Sequence, residues 1–259
     1  LLDPENIYIA DSTSELGDVE LLDGKILSED SEGFLRISAT ALENLAADTN
    51  ITLEATNKII VQNLADNALT FPPGTGEITF RAGSDNNGAS GRIIFSDFSD
   101  TVVAPGRSLN FSGGSLIISD INTASPDGGG DVTFQSATMA LFRDINTYST
   151  SGEGGQVTIE ASQNITARFI RSESPISTSG DLTISSESGS INIQNITVNN
   201  NGNVDISAPG DVVVQNMTLP SFLATLAEAP PVDEETNLLS GKVNYEALAT
   251  QLSGLSFTT

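Results

Sequence analysis

Apolar residues in this chain recur at every second position in short bursts, and the bursts repeat. "GEITF" at Gly76, "GDVTF" at Gly130, "GQVTI" at Gly155, "GDLTI" at Gly180 and "GNVDI" at Gly202 all read glycine, polar, apolar, polar, apolar. "NITLEA" at Asn50 and "RSLNF" at Arg107 fit without the glycine. Period-two alternation predicts a strand with one buried face. The glycine predicts the turn that feeds it.

A second set follows the first: "IIVQNL" (59–64), "IIFSDF" (93–98), "LIISDI" (116–121), "ALFRDI" (140–145), "INIQNI" (191–196) and "VVVQNM" (212–217). Each ends in an apolar residue, Gln, Ser or Arg, then Asn or Asp, then another apolar residue. Asn63, Asp97, Asp120, Asp144, Asn195 and Asn216 thus fall at one position of the repeat, with Phe169 of "TARFI" (166–170) in their place in the fifth unit. Successive spacings are 34, 23, 24, 25, 26 and 21 residues. The long interval contains "GSDNNGASG" (83–91), which reads as an inserted loop.

One such unit cannot bury its apolar face alone, but coiling it over the next makes a continuous interior. The expected fold is all-β, a right-handed parallel β-helix with three-strand rungs, about seven of them over 51–219. The Asn/Asp position is expected to turn the chain between the second and third strands, using the left-handed conformation these residues tolerate. Stacked Asn amides can bond from rung to rung. An ionised Asp only accepts, so Asp97, Asp120 and Asp144 are expected to face water or take backbone N–H groups, and Phe169 to mark a local irregularity.

The ends break the pattern. Residues 1–50 predict irregular rungs with a short helix in "ISATALENLAAD" (37–48), capped by Thr40, with Leu42 and Leu45 on one side. Residues 220–259 hold a linker-like "APPVDEETN" and two weakly amphipathic helical patterns, expected to cap the last rung or dock on another copy. A start at Leu1 with no Met suggests a processed product or a fragment.

Composition narrows the chemistry. Apolar residues make up 38% of the chain, so the core must be thin and spread along its length. A net charge of −24 disfavours nucleic acid and anionic membranes. No run is long and apolar enough for a membrane helix. With no Cys and no His there is no thiolate metal site, no disulfide and no Ser-His triad. No cofactor is expected. The acidic surface, with the oxygen-rich loops 83–88 and 125–131, is expected to attract calcium at most loosely, since neither loop matches a calcium-binding repeat.

The stretch 37–64, with "LLDPENIYI" before it and "GGDVTF", "GGQVTIEA" and "GDLTISS" after it, resembles the filamentous-haemagglutinin-type exoproteins of two-partner secretion, especially cyanobacterial ones. The likeness covers about residues 1–219. It implies a right-handed β-helical shaft, secreted and displayed at the cell surface or released as an adhesive or structural fibre. The partners implied are copies of itself or neighbouring shaft segments, and cell-surface glycans.

Two other readings stand beside it. Polysaccharide lyases and hydrolases also use parallel β-helices. Arg143 next to Asp144, with Arg168 and Arg171 in the next unit, is the nearest thing to a lyase-like cluster. However, no three carboxylates gather around a base, and sugar-stacking aromatics are few. A surface-binding solenoid would want a flat threonine array. Thr79, Thr133, Thr158 and Thr183 form a partial one, broken by Asn110 and Asp205. The expectation is a non-catalytic shaft module.

Overall fold

The structure is a computed structural model that describes residues 4–12, 15–19, 21, 24–26, 33–83, 90–218 and 242–244. It is a parallel β-helix of about eight turns. The first face stacks Lys25–Ile26, Ile51–Ala55, Ile78–Ala82, Leu109–Gly113, Val132–Ser136, Val157–Ala161, Leu182–Ser186 and Val204–Ser207, each parallel to the next. The second stacks Lys58–Val61, Arg92–Phe95, Ser115–Ile118 and Ala140–Phe142. The third stacks Ala68–Thr70, Thr101–Val103, Asp120–Asn122 and Asp144–Asn146. Ile165–Ser172, Ile191–Val198 and Val212–Thr218 are long enough to run through both the second and third faces.

Chain order fails at the N-terminal end. Pro4–Ala10 lies between Gly33–Ser38 and Lys58–Val61 in the second face, so the later segment sits outside the earlier one. A short helix, Ala39–Glu43, follows. Ser38 caps it, its hydroxyl accepting from the Ala41 N–H at 3.0 Å. Thr40, the expected cap, is inside the helix, because Ser38 is the last extended residue and is held there by Asp18, which accepts from both its N–H and its hydroxyl. Leu42 is buried and Leu45 packs against the core. The helical patterns expected within 220–259 lie outside the described residues, apart from Lys242–Asn244, a strand antiparallel to Val204–Ser207.

Period-two alternation places like residues above one another. Leu53, Phe80, Phe111, Phe134, Ile159, Ile184 and Ile206 form one inward column of the first face, each in register with the next. Within it the rings of Phe80, Phe111 and Phe134 stack at centroid distances of 4.9 and 5.2 Å. Phe142 reaches across from the second face to Phe134, at 4.1 Å. The core is this column and its aliphatic neighbours, continuous along the axis.

Several polar side chains inside are bonded to backbone at the corners. The hydroxyls of Thr123 and Thr147 donate to the carbonyls of Gly130 and Gly155, at 2.6 and 2.7 Å. Ser172 donates to Gly155 and Gly180, at 2.7 and 3.0 Å. All three are fully buried. Arg107 is buried as well. Its guanidinium donates to the carbonyls of Gly76 and Thr49 and lies 5.6 Å from the Phe71 ring centre.

Candidate functional site

The corner between the second and third faces carries the residues singled out by the repeat. Asp144 pairs with Phe169, Phe169 with Asn195, and Asn195 with Asn216. Asp120 is one rung above Asp144 in the same column, its neighbours Ile121 and Ile145 being paired. Asn63 and Asp97 do not belong to this column. Asp120 pairs with Thr101, which pairs with Ala68. In those two rungs the corner is longer, spanning 62–67 and 96–100, where later rungs turn on Ser119 or Arg143 alone. Phe169 causes no irregularity, since it keeps register inside a continuous strand.

The left-handed conformation expected of these residues occurs elsewhere. Among described non-glycine residues, positive φ falls on Asn67, Asn200 and Asn201. Asn67 closes the long corner before Ala68–Thr70. Asn200 and Asn201 turn the chain after Val198. Where one residue bridges two strands, at Ser119 and Arg143, the chain turns without a positive φ.

The side chains of the column bond along the axis. Asn216 donates its amide to the Asn195 oxygen at 3.0 Å. Asp120 accepts from the Asp144 N–H at 3.1 Å. Asp97, outside the column, accepts within its own corner from the Ser99 N–H and hydroxyl at 2.8 Å each. The Ser99 N–H is the main cause that holds Asp97 below its usual range. Arg168 makes a two-pronged contact with Asp144, and Arg143 approaches Asp120 at 3.5 Å. The hydrogen bonding of Arg168 to the Asp144 carboxylate is the main cause that raises the Arg168 pKa. Of the arginines expected in a lyase-like cluster, Arg143 and Arg168 thus pair with Asp120 and Asp144, rung against rung, while Arg171 pairs with Glu173 and lies 4.0 Å from the Tyr148 ring centre. A second amide link, Asn146 to Asn122 at 3.2 Å, runs in the third face.

Two carboxylates, the buried Asp100 and the half-buried Asp120, make stability depend on pH. Asp100 is fully buried, and one of its oxygens has no hydrogen-bond partner among the described residues. Burial is the main cause that raises its pKa, opposed by the Leu64 N–H and aided by Asp97 and Asp66. Asp120 is raised too, first by burial and then by Asp144, against Arg143 and Arg168. A raised acid means that the folded chain holds a proton the unfolded chain has released. Stability then rises as pH falls through the raised pKa towards the unfolded one. The melting temperature is expected to increase as pH falls from neutrality towards the unfolded carboxylate range, and Asp100→Asn to raise it at neutral pH and flatten the slope. A wild-type melting temperature that falls over this range would contradict the assignment.

An open groove of about 640 Å³ runs along the edge of the first face. It climbs past Arg81, Ser112, Gln135, Glu160, Ser185 and Glu187. It exists because the corner residues there are small: Gly113, Ala137 and Ala161 line its floor. Arg81 is tied to Glu54 at 2.8 Å, and Glu187 accepts from Ser162 at 2.8 Å. Such a groove can hydrogen-bond an extended polar chain, and no aromatic residue lines it. The threonines Thr79, Thr133, Thr158 and Thr183 stand beside it in one outward column with Asn110 and Asp205. Among the described residues no three of His, Cys, Asp or Glu gather so as to hold a metal ion. Loop 84–89 lies outside the described residues. In 125–131, Asp131 accepts from the Gln156 N–H one rung on, at 2.8 Å.

No family model matches this chain, and no curated protein or solved structure does so either.

Proposed function

We propose that this chain is a non-catalytic structural or adhesive module of a secreted extracellular fibre, working as a shaft and joining copies of itself or neighbouring shaft segments. One observation carries the reading. The polar side chains of the corner column bond along the axis, from rung to rung, instead of converging on a point where a reacting atom could sit. That arrangement serves axial rigidity. The resemblance of residues 37–64 and of the glycine phrases to haemagglutinin-type exoproteins supports secretion to the cell surface and contact with glycans.

A polysaccharide-active enzyme is the second reading, favoured by the groove with Glu160 and Glu187 on its wall. Electron microscopy of native material, with subunit mass measurement, separates the two. Rods or filaments whose axial repeat matches a stack of about eight rungs, roughly 35 Å, are expected. Dispersed single molecules that lower the viscosity of a polysaccharide solution would overturn the proposal.

A further inference from the structure

The outward surfaces of the first and second faces differ in charge and in polarity, although the chain as a whole carries −24. In the second face only Pro4–Ala10 brings an acidic residue, Glu5; strands Gly33–Ser38, Lys58–Val61, Arg92–Phe95, Ser115–Ile118 and Ala140–Phe142 contain none, and neither do Ile165–Ser172, Ile191–Val198 and Val212–Thr218. Arg36, Lys58, Arg92, Arg143 and Arg168 belong to this face or its margin, five of the ten basic residues in the chain. Arg36, Arg143 and Arg168 have carboxylate partners. Lys58 and Arg92 are directly in register, one rung apart, and make no ion pair among the described residues. Between the basic flanks, Ile60, Ile94, Ile117 and Leu141 form one outward column, half-buried. Stacking covers the flanks of these side chains and leaves their ends to water.

The first face is the counterpart. Its outward centre is the threonine column. Beside it stand Glu54, Glu77, Asp131, Glu160 and Asp181, and within it Asp205, against Arg81, which Glu54 already neutralises, and Lys25 at the far end. One face therefore offers aliphatic ends between cations, and the other offers threonine methyls between carboxylates. Both carry the same rung spacing, so a match made at one rung recurs at the next.

We propose that copies of this chain associate side by side, the second face of one against the first face of the next. The contact is heterologous, so it leaves an unused face of each kind and extends into a lateral sheet or bundle. It needs neither end of the shaft and does not rest on the fibre reading. A face of eight rungs and about five residues' width covers roughly 550 Å² a side, near the lower edge of a specific interface at about 1,000–1,200 Å² in total. Pairing of two isolated chains is therefore weak, and repetition along a longer shaft strengthens it.

Two electrostatic ranges compete, and this makes the test specific. Net repulsion between copies acts at long range and is screened first. The facing charges act at contact. The Debye length falls from about 30 Å at 0.01 M salt to about 10 Å at 0.1 M and 3 Å at 1 M. Association of the full chain, measured by sedimentation velocity and light scattering up to millimolar protein, is expected to peak near 0.1 M salt and to weaken on both sides. Lys58→Glu with Arg92→Glu, both surface changes, is expected to weaken association about tenfold. Mixing that variant with Glu160→Lys/Asp205→Lys is expected to restore it in the mixture, though in neither variant alone. A chain that stays monomeric at every salt concentration would overturn the proposal, and so would a double variant that associates like the wild type. Monomers that gather only when polygalacturonate is added would instead make this face a site for a soluble polyanion, and would overturn it too.

Discussion

Phe111→Ala is expected to destabilise the shaft by about 3–5 kcal/mol, and to do so locally. Phe111 is 1% exposed and lies between two rings, nearly parallel to Phe80 at 4° and to Phe134 at 15°. Removing it takes both stacking partners from their neighbour and leaves a void that the rungs on either side cannot close. Those rungs are held at a fixed spacing by backbone bonds along Ile78–Ala82, Leu109–Gly113 and Val132–Ser136. Interior side chains in a solenoid touch mainly the turn above and the turn below. The loss should therefore show as faster amide exchange in these three strands, with Leu182–Ser186 little changed, alongside a lower melting temperature. Phe111→Leu, which fills most of the space, should recover much of the loss. A uniform rise in exchange along the whole chain would count against a stack of locally held rungs.

From Ile51 on, the first strand of each rung was readable because it is four or five residues long and strictly alternating, and the second, three or four residues in Lys58–Val61 through Ala140–Phe142, was readable from its recurring phrase. "GDVTF" and "GQVTI" align by eye, and Val132 and Val157 do pair. The third strand was not readable. Asp120–Asn122 and Ala68–Thr70 are three residues each, too short for any period, and the corners before them differ in length. That is why Asn63 and Asp97 looked equivalent to Asp120 and are not. The nesting of Pro4–Ala10 inside Gly33–Ser38 depends on which strand lies nearer in space, and alternation says nothing about that. The outward aliphatic column left a signal in the consecutive apolar residues of "IIV", "IIF" and "LII", which run against strict alternation. The buried hydroxyls left one too. Thr123-Ala-Ser125, Thr147-Tyr-Ser149 and Ser172-Glu-Ser174 recur ahead of the glycines, a pattern easily taken for ordinary loop composition.

Those hydroxyls change the meaning of the repeated glycine, and Gly155→Ala tests it. The repeat suggested that glycine supplies a turn. Gly130, Gly155 and Gly180 do not have positive φ. They are needed because successive rungs approach so closely there. A methyl group on Gly155 would sit 2.2 Å from the Gly130 carbonyl oxygen, and one on Gly180 would sit 2.1 Å from that of Gly155. The atoms in the way are backbone, so no side chain can swing aside. The rung would have to move by most of an ångström. That would strain the bond from the Gly155 N–H to the Thr147 carbonyl at 2.9 Å and the Thr147 and Ser172 hydroxyl bonds to the Gly155 carbonyl. Buried hydroxyls left without partners cost about 1–3 kcal/mol each, on top of the overpacking. Gly155→Ala is expected to lower stability by at least about 3 kcal/mol. Gly113→Ala is the control. Gly113 shares a column with Ser136 and Ala161, and its added methyl would meet nothing closer than 3.4 Å. That change should be neutral or should stabilise by up to about 1 kcal/mol through the unfolded chain. Denaturant titrations of the two variants decide the point. Equal midpoints would mean that the glycines serve only as turns, and the close contact of rungs at this corner would no longer explain why the phrase keeps its first residue.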